Sequence, residues 1–377
     1  MKFLTSVGMI FLLLMLHGTS AERPRVREFG IKIGVLPTGL QNAITDVKGV
    51  KVGHVTLIEG KAVRTGVTAI LPHGGNIYQE KVPAAVFVAN GYGKLTGSTQ
   101  IEELGQLETP IILTNTLSVP TAAAALISYT LGLKENESVV SVNAVVGETN
   151  DSYLNDIRLR RVTENHVLDA IQTASDGPVR EGSVGAGTGT TCFGFKGGIG
   201  TASRMLPAKN GGYTVGILVQ TNHGGNLRIP GLTVGDGLQA FLRAPDGNTL
   251  PEGSCMVIVA TDAPLDSRNL RRLAKRALLG IARGGGYYSN GSGDYAVAFS
   301  TAEKNRILHR NRKTILTAEF LSNRAVSPLF MAAAEATEEA ILNSMFLSPA
   351  MTGRNGNNAL SLPLKKIKSL MEGRHFE

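Results

Sequence analysis

Short apolar runs alternate with glycine-rich polar breaks along most of this chain. Residues 51–57 and 66–71 alternate and are rich in β-branched side chains, and residues 84–89 form an apolar run closed by Asn90-Gly91-Tyr92-Gly93. Runs of this length bounded by turn formers predict strands. Further strands are expected over 110–113, 138–146, 213–220 and 295–300. Helical patterns lie between them. Proline at position 120 opens a helix that Gly132 stops, and Thr163 caps another ending near Thr173. Asp266 caps a third, in which Leu270, Leu273, Ala274, Ala277, Leu278 and Ile281 mark one buried face before Gly284. Its other face carries Arg268, Arg271, Arg272, Lys275 and Arg276, and reads as a solvated face. Ser327-Pro328 opens a long helix reaching about Phe346, and a short basic amphipathic piece falls near 364–371.

One run differs from the rest. Ser254-Cys255-Met256-Val257-Ile258-Val259-Ala260 is continuously apolar after its first residue, the pattern of a strand buried on both faces. A turn-forming segment at 244–248 leads into it, and Gly253 precedes the serine. A hydroxyl at the mouth of a rigid strand can attack the carbonyl just before it. Glycine there has no Cβ and accepts the backbone geometry that attack requires. Cleavage would leave Ser254 carrying both a nucleophile and a free amine. The same residues also fit a plain loop end, and local sequence alone leaves both readings open.

The chain has 377 residues, 42% of them hydrophobic, enough for a large core. With 45 glycines and 5% aromatics, it predicts tight turns and close backbone packing. Residues 1–21 read as a cleaved secretory signal: Lys2, an apolar centre over 9–16, and small residues Thr19-Ser20-Ala21. The apolar centre is too short to span a bilayer and no lipid-anchor cysteine follows. A secreted or periplasmic protein without stable membrane insertion is expected. The formal charge of +8 is basic, but export argues against a nucleic-acid partner. Cys192 and Cys255 are either buried free thiols or a pair.

Several chemistries lack their motifs. There is no His-Glu-x-x-His and no Cys/His cluster for a metal, no Gly-x-Ser-x-Gly elbow, no Ser-x-x-Lys and no phosphate-binding P-loop. A dispersed Ser/His/Asp triad stays open, with His54, His73, His166 and His223 as candidates. Three polar stretches are site-like. They are the run 147–156, with Glu148, Asn150 and Tyr153, the turn after 220, with Asn222, and the loop 284–294, with Ser292 and Asp294. Residues 181–200 hold eight glycines without the setting of a dinucleotide fingerprint, and read as a loop that lets backbones approach closely. A second Glu-Gly-Ser at 181–183 runs into glycine and is a poor nucleophile site.

Several of these stretches together resemble one family over nearly the whole mature chain. They are Asn42-Ala43-Ile44-Thr45-Asp46-Val47 with Gly49-Val50-Lys51-Val52-Gly53-His54, Glu148-Thr149-Asn150-Asp151, and Val184-Gly185-Ala186-Gly187-Thr188-Gly189. Val219-Gln220-Thr221-Asn222, Gly253-Ser254, Ser292-Gly293-Asp294 and Met351-Thr352-Gly353-Arg354 complete the set. The order and number of these motifs are similar to the L-aminopeptidase/D-esterase family, which includes β-peptidyl aminopeptidases. The resemblance implies an α/β fold, a four-layer α-β-β-α sandwich like the N-terminal-nucleophile hydrolases but differently connected. It implies one catalytic domain, 22–377, self-cleaved between Gly253 and Ser254 into 22–253 and 254–377, and a homo-oligomer, commonly a tetramer. It implies Ser254 as nucleophile, with Ser292 relaying or orienting a hydrogen bond to it, Asp294 stabilising nearby positive charge, and Asn222 donating to the oxyanion. Glu148 is expected to bind the substrate ammonium, with Asn150 and Tyr153 nearby, where some relatives place a tyrosine. Lys94 stands where a carboxylate or apolar residue is expected. The expected substrates are small peptides, amides or esters with a free amine, and no metal or organic cofactor is needed. Two alternatives are an acyltransferase on a related self-cleaving fold, which would use threonine at the nucleophile position, and a non-catalytic exported binding protein.

Overall fold

A computed structural model describes residues 23–232, 253–311 and 313–373. The expected signal segment at 1–21 and the turn at 244–248 lie outside the described residues. Strands β1 (Lys51–Glu59) and β2 (Val63–Leu71) form an antiparallel hairpin. The long strand β3 (Glu80–Gly91) leaves for a second sheet. Strands β4 (Ile111–Asn115) and β5 (Val145–Thr149) run parallel and extend the first sheet, with the two-residue strand Leu95–Thr96 at its edge. The second sheet has the order β6 (Ile199–Met205), β7 (Thr214–Asn222), β8 (Ser254–Thr261), β9 (Gly293–Ser300), then β3. Its pairs are antiparallel except β8 with β9, which run parallel.

The two sheets face each other across a core. Met256, Ile258 and Ala260 of β8 join Val297 and Phe299 of β9, Ile111 and Leu113 of β4, and Ile70 of β2 in that inter-sheet cluster. The alternate residues Cys255, Val257 and Val259 pack into a different cluster beneath helices α3 (Ser267–Ala277) and α4 (Ser327–Phe346); α1 (Val119–Leu131) and α2 (Glu164–Gln172) cover the outer face of the first sheet. This is the expected α-β-β-α sandwich. It explains why β8 is apolar on both faces, since each face meets a packed layer. No described helix is long and apolar enough to cross a membrane.

Small residues let the layers close up. A Cβ on Gly200 would lie 1.8 Å from the Ala340 carbonyl, so the sheet touches the α4 backbone there. The same helix carries Glu335 and Glu339 inward, where Arg204 of β6 meets them at 3.1 and 2.7 Å, and Arg27 joins Glu339 at 2.7 Å. Asp266 caps α3 by accepting from the Asn269 amide, as its position predicts. The helix then breaks at Leu278 into a short second piece, Leu279–Arg283, which ends at Gly284. The basic face of α3 is more than solvated. Arg271 and Lys275 lie over the Phe87 ring at 5.5 and 5.6 Å, and Arg272 and Arg276 over Phe330 at 5.1 and 4.6 Å.

One expected strand moves. The strand anticipated at 138–146 begins only at Val145, and Val140 is 98% exposed. The alternating stretch before it has no neighbouring strand to pair with, so its β propensity goes unused. In consequence Glu148 and Thr149 lie within β5 and not in the loop after it. Cys192 and Cys255 are free and buried, which closes the pairing question in favour of thiols.

Candidate active site

Strand order brings the chemistry to one edge. Strands β8 and β9 start at the same end because they are parallel, with Cys255 opposite Asp294. Antiparallel β7 finishes there, with Asn222 opposite Ser254. Gly253 is wedged between them: a Cβ at this position would lie 1.6 Å from the Asn222 carbonyl oxygen, so only glycine fits. The Gly293 amide donates to Ser254 Oγ at 3.0 Å, and the Ser292 hydroxyl donates to the Gly253 carbonyl oxygen. Ser254 and Ser292 are both buried. In the uncut chain the Ser292 hydroxyl is thus directed to the carbonyl beside Ser254 and not to the Ser254 oxygen. Ser292 engages the carbonyl oxygen and Gly293 the hydroxyl, so consecutive residues hold the two groups that flank the same peptide bond.

Asn222 is clamped at both ends. Its Oδ1 accepts from the Thr191 amide at 3.1 Å, and its Nδ2 donates to the Asn150 carbonyl at 3.0 Å. A backbone N–H can only donate, so the amide orientation is set by its partners. Nδ2 also borders Gly253, lying 2.8 Å from where a Cβ there would stand, and one of its two hydrogens is left for that side. Asn150 thus contributes through its main chain. Its exposed side chain only accepts from the Ser152 amide in a turn.

Asp294 is buried, and burial pushes its carboxyl up to about 6. The Ser292 hydroxyl and the Cys255 amide favour the ionised form but do not offset the lost hydration. Neither carboxyl oxygen completes a well-formed hydrogen bond among the described residues. Glu148 is likewise buried and raised by desolvation; the Thr116 hydroxyl and the Lys94 amide, the latter at 2.9 Å, hold its two oxygens and pull the other way. Glu148 reaches the serine through glycines. A Cβ on Gly93 would lie 3.2 Å from Glu148 Oε1 and 3.1 Å from Gly293 Cα, and Gly293 is the residue whose amide touches Ser254. The Lys94 side chain is exposed, with Nζ 5.9 Å from the Tyr92 ring centre.

The sequence model of peptidase family S58 matches residues 42–359. This chain belongs to peptidase family S58. A curated relative, β-peptidyl aminopeptidase BapA of Sphingosinicella microcystinivorans, is 40% identical over 393 residues, covering 99% of this chain and 98% of its own. A solved Pyrococcus horikoshii OT3 protein superposes with a TM-score of 0.85 at 52% identity, covering 93% of this chain and all of that one. The L-aminopeptidase D-Ala-esterase/amidase of Ochrobactrum anthropi, described as a prototype serine aminopeptidase with a variant Ntn-hydrolase fold, superposes at TM-score 0.85 with 36% identity, covering 93% and 99%. The S58 chain described here is accordingly a hydrolase of the aminopeptidase class.

Within this S58 peptidase, not every expected residue joins the group around Ser254. Tyr153 turns its hydroxyl to the Asn358 carbonyl at 3.4 Å. The histidines are engaged elsewhere. His54 contacts the Thr68 hydroxyl at 2.9 Å, His73 the Glu80 carbonyl at 2.8 Å, and His166 the Thr163 hydroxyl at 3.2 Å. His223 stacks edge-on against Phe193, and burial pushes both it and His54 down to about 4. Three contributors carried no signal in the sequence: Thr116 and the amides of Lys94 and Thr191. The two amides act through the main chain, and Thr116 is unremarkable by type. A buried cation, Lys196, was also missed, hidden as a lone lysine in the glycine loop.

Proposed function

We propose that this S58 aminopeptidase is a self-processing serine enzyme in which Ser254 cleaves its own Gly253–Ser254 bond and then serves as the N-terminal nucleophile. The observation that carries the reading is the pairing of Ser254 Oγ with the Gly293 amide while the Ser292 hydroxyl holds the Gly253 carbonyl. In the processing step, Ser254 Oγ forms a bond to the Gly253 carbonyl carbon. The C–N bond breaks, and the hydroxyl proton ends on the departing amine. Ser292 and Asn222 face the developing oxyanion. Water then hydrolyses the ester and frees Gly253 as a new C-terminus.

Turnover on substrate repeats this chemistry with the freed α-amine of Ser254 as base. Its reference pKa of about 8 lets it take the hydroxyl proton near neutral pH and return it to the leaving group. The acyl-enzyme carries the substrate's N-terminal residue. Glu148 receives the substrate ammonium, which restores the favourable charge that burial denies its carboxylate. Asp294 faces the cationic form of the Ser254 amine. Substrates are small peptides, amides or esters with a free amine, and the β-peptidyl relative supports acceptance of β-amino residues. The enzyme is exported after removal of residues 1–21 and assembles as a homotetramer.

A denaturing gel with N-terminal sequencing tests the reading. Two pieces are expected, 22–253 and 254–377, the smaller beginning Ser-Cys-Met-Val. Ser254→Ala should abolish both fragmentation and hydrolysis. Recovery of only uncut chain from active protein would overturn it. Sizing on a gel-filtration column checks the tetramer, and paired α- and β-aminoacyl amides check the substrate class.

A further inference from the structure

The glycine loop at 185–197 holds a buried lysine that the chemistry above does not use. Lys196 is fully buried. Its ammonium donates to three main-chain carbonyls of that loop, Gly187 at 3.1 Å, Thr190 at 3.0 Å and Gly197 at 2.8 Å. An ammonium has three donors, and all three are spent on backbone. Such a nest ties together a segment with little other regular structure, whose glycines would otherwise leave it many conformations.

The tied segment is the one that holds Asn222. Lys196 pairs with Thr191 across the two-stranded ribbon Thr191–Cys192 and Phe195–Lys196. Thr191 is the residue whose amide fixes Asn222 Oδ1. The opposite clamp, the Asn150 carbonyl, is followed directly by Asp151. Asp151 is buried, accepts from Asn155 Nδ2 at 2.9 Å, and packs against the same loop, where a Cβ on Gly189 would lie 3.0 Å from the Asp151 Cβ. Each clamp on Asn222 therefore adjoins the lysine's loop, Thr191 by pairing with Lys196 and Asn150 through its neighbour Asp151.

We propose that Lys196 is a positioning residue for the oxyanion amide: its three-carbonyl nest holds the Thr191 amide where it locks Asn222 with Nδ2 turned toward Gly253. Asp151 supports the same geometry from the Asn150 side. The proposal rests on the reading of Asn222 as an oxyanion donor. Lys196 touches neither the substrate nor the reacting atoms in this arrangement, and its whole effect passes through one side-chain amide.

A double-mutant cycle tests this, with kcat taken per processed chain and the rate of self-cleavage run through the same cycle on gels. Asn222→Ala is expected to lower kcat by about 10²–10³, the usual loss for one oxyanion donor. Lys196→Met should lower kcat by about 10–100-fold with KM within about threefold, because a misaimed donor affects the transition state more than substrate binding. Combined with Asn222→Ala it should add nothing further. If Lys196→Met does not fold, Asp151→Asn, which keeps the side-chain shape, takes its place and should show the same dependence on Asn222. Equal losses in the presence and absence of Asn222, or an unchanged kcat in the single variant, would overturn the proposal and leave the oxyanion reading intact. A wild-type kcat in Asn222→Ala would instead remove the oxyanion reading itself, and this proposal with it.

Discussion

A charge on the buried Asp294 carboxyl is costly for folding, and the cost can be measured. Burial moves its carboxyl from an ordinary 3.8 to about 6. A raised folded-state pKa means that the native chain binds the proton more tightly than the unfolded one. That stabilising proton is fully present below 3.8 and is lost as pH rises through about 6. Above that, the ionised carboxylate costs the fold about 3 kcal/mol, taking 1.36 kcal/mol per unit. Asp294→Asn keeps the shape and removes the charge. It should therefore stabilise the protein by about 3 kcal/mol at pH 8 and by only about 0.5 kcal/mol at pH 4. The pH-dependent difference, about 2.5 kcal/mol, does not depend on what the new amide packs against. Urea denaturation in the Ser254→Ala background, which is expected to stay one chain, measures it at both pH values. A stability difference that is flat between pH 4 and pH 8 would refute the reasoning. The same substitution should reduce hydrolysis in the processed enzyme, trading activity for stability.

Gly253→Ala should yield protein that stays uncut on a denaturing gel and melts at a lower temperature, because its Cβ would stand 1.6 Å from the Asn222 carbonyl. Ser292→Ala should slow self-cleavage by about 10²-fold, timed by gel after dilution from denaturant, since it removes a donor to the Gly253 carbonyl. Arg204→Met should cost about 3 kcal/mol in urea denaturation, because Glu335 stays buried without a cation while Glu339 keeps only Arg27.

Much of the architecture was legible because it rests on local pattern. The apolar run from Ser254 predicts a strand buried on both sides, and the spacing from Leu270 to Ile281, closed by Gly284, predicts the helix over it. The family motifs supplied the layer order. What escaped was whatever depends on a neighbour far along the chain. Residues 138–144 have strand-like alternation but no partner strand. The carbonyl that the Ser292 hydroxyl meets belongs to Gly253, thirty-nine residues earlier, and no local pattern announces that contact. Tyr153 looked like part of the pocket from sequence position, yet its hydroxyl finds Asn358, more than two hundred residues later. Lys196 had no motif at all. Only a closed loop turns a solitary lysine into a three-way tie.

The order of strands in the second sheet has a thermodynamic consequence. Strands β8 and β9 lie between β7 and β3, so a cut after Gly253 would put β8 and β9 on one polypeptide and the strands on either side of them on the other. Neither polypeptide could leave without breaking three ladders, those of β7 with β8, of β9 with β3, and of the short strand Ile307–Leu308 with β3. Once cut, the enzyme becomes a heterodimer sharing one core. Its melting point then depends on protein concentration, as for any assembly whose parts do not fold alone. Refolding requires the two pieces to find each other again, a second-order reaction. At high dilution a cut enzyme would be held less by equilibrium than by slow unfolding, and its working lifetime would be a rate.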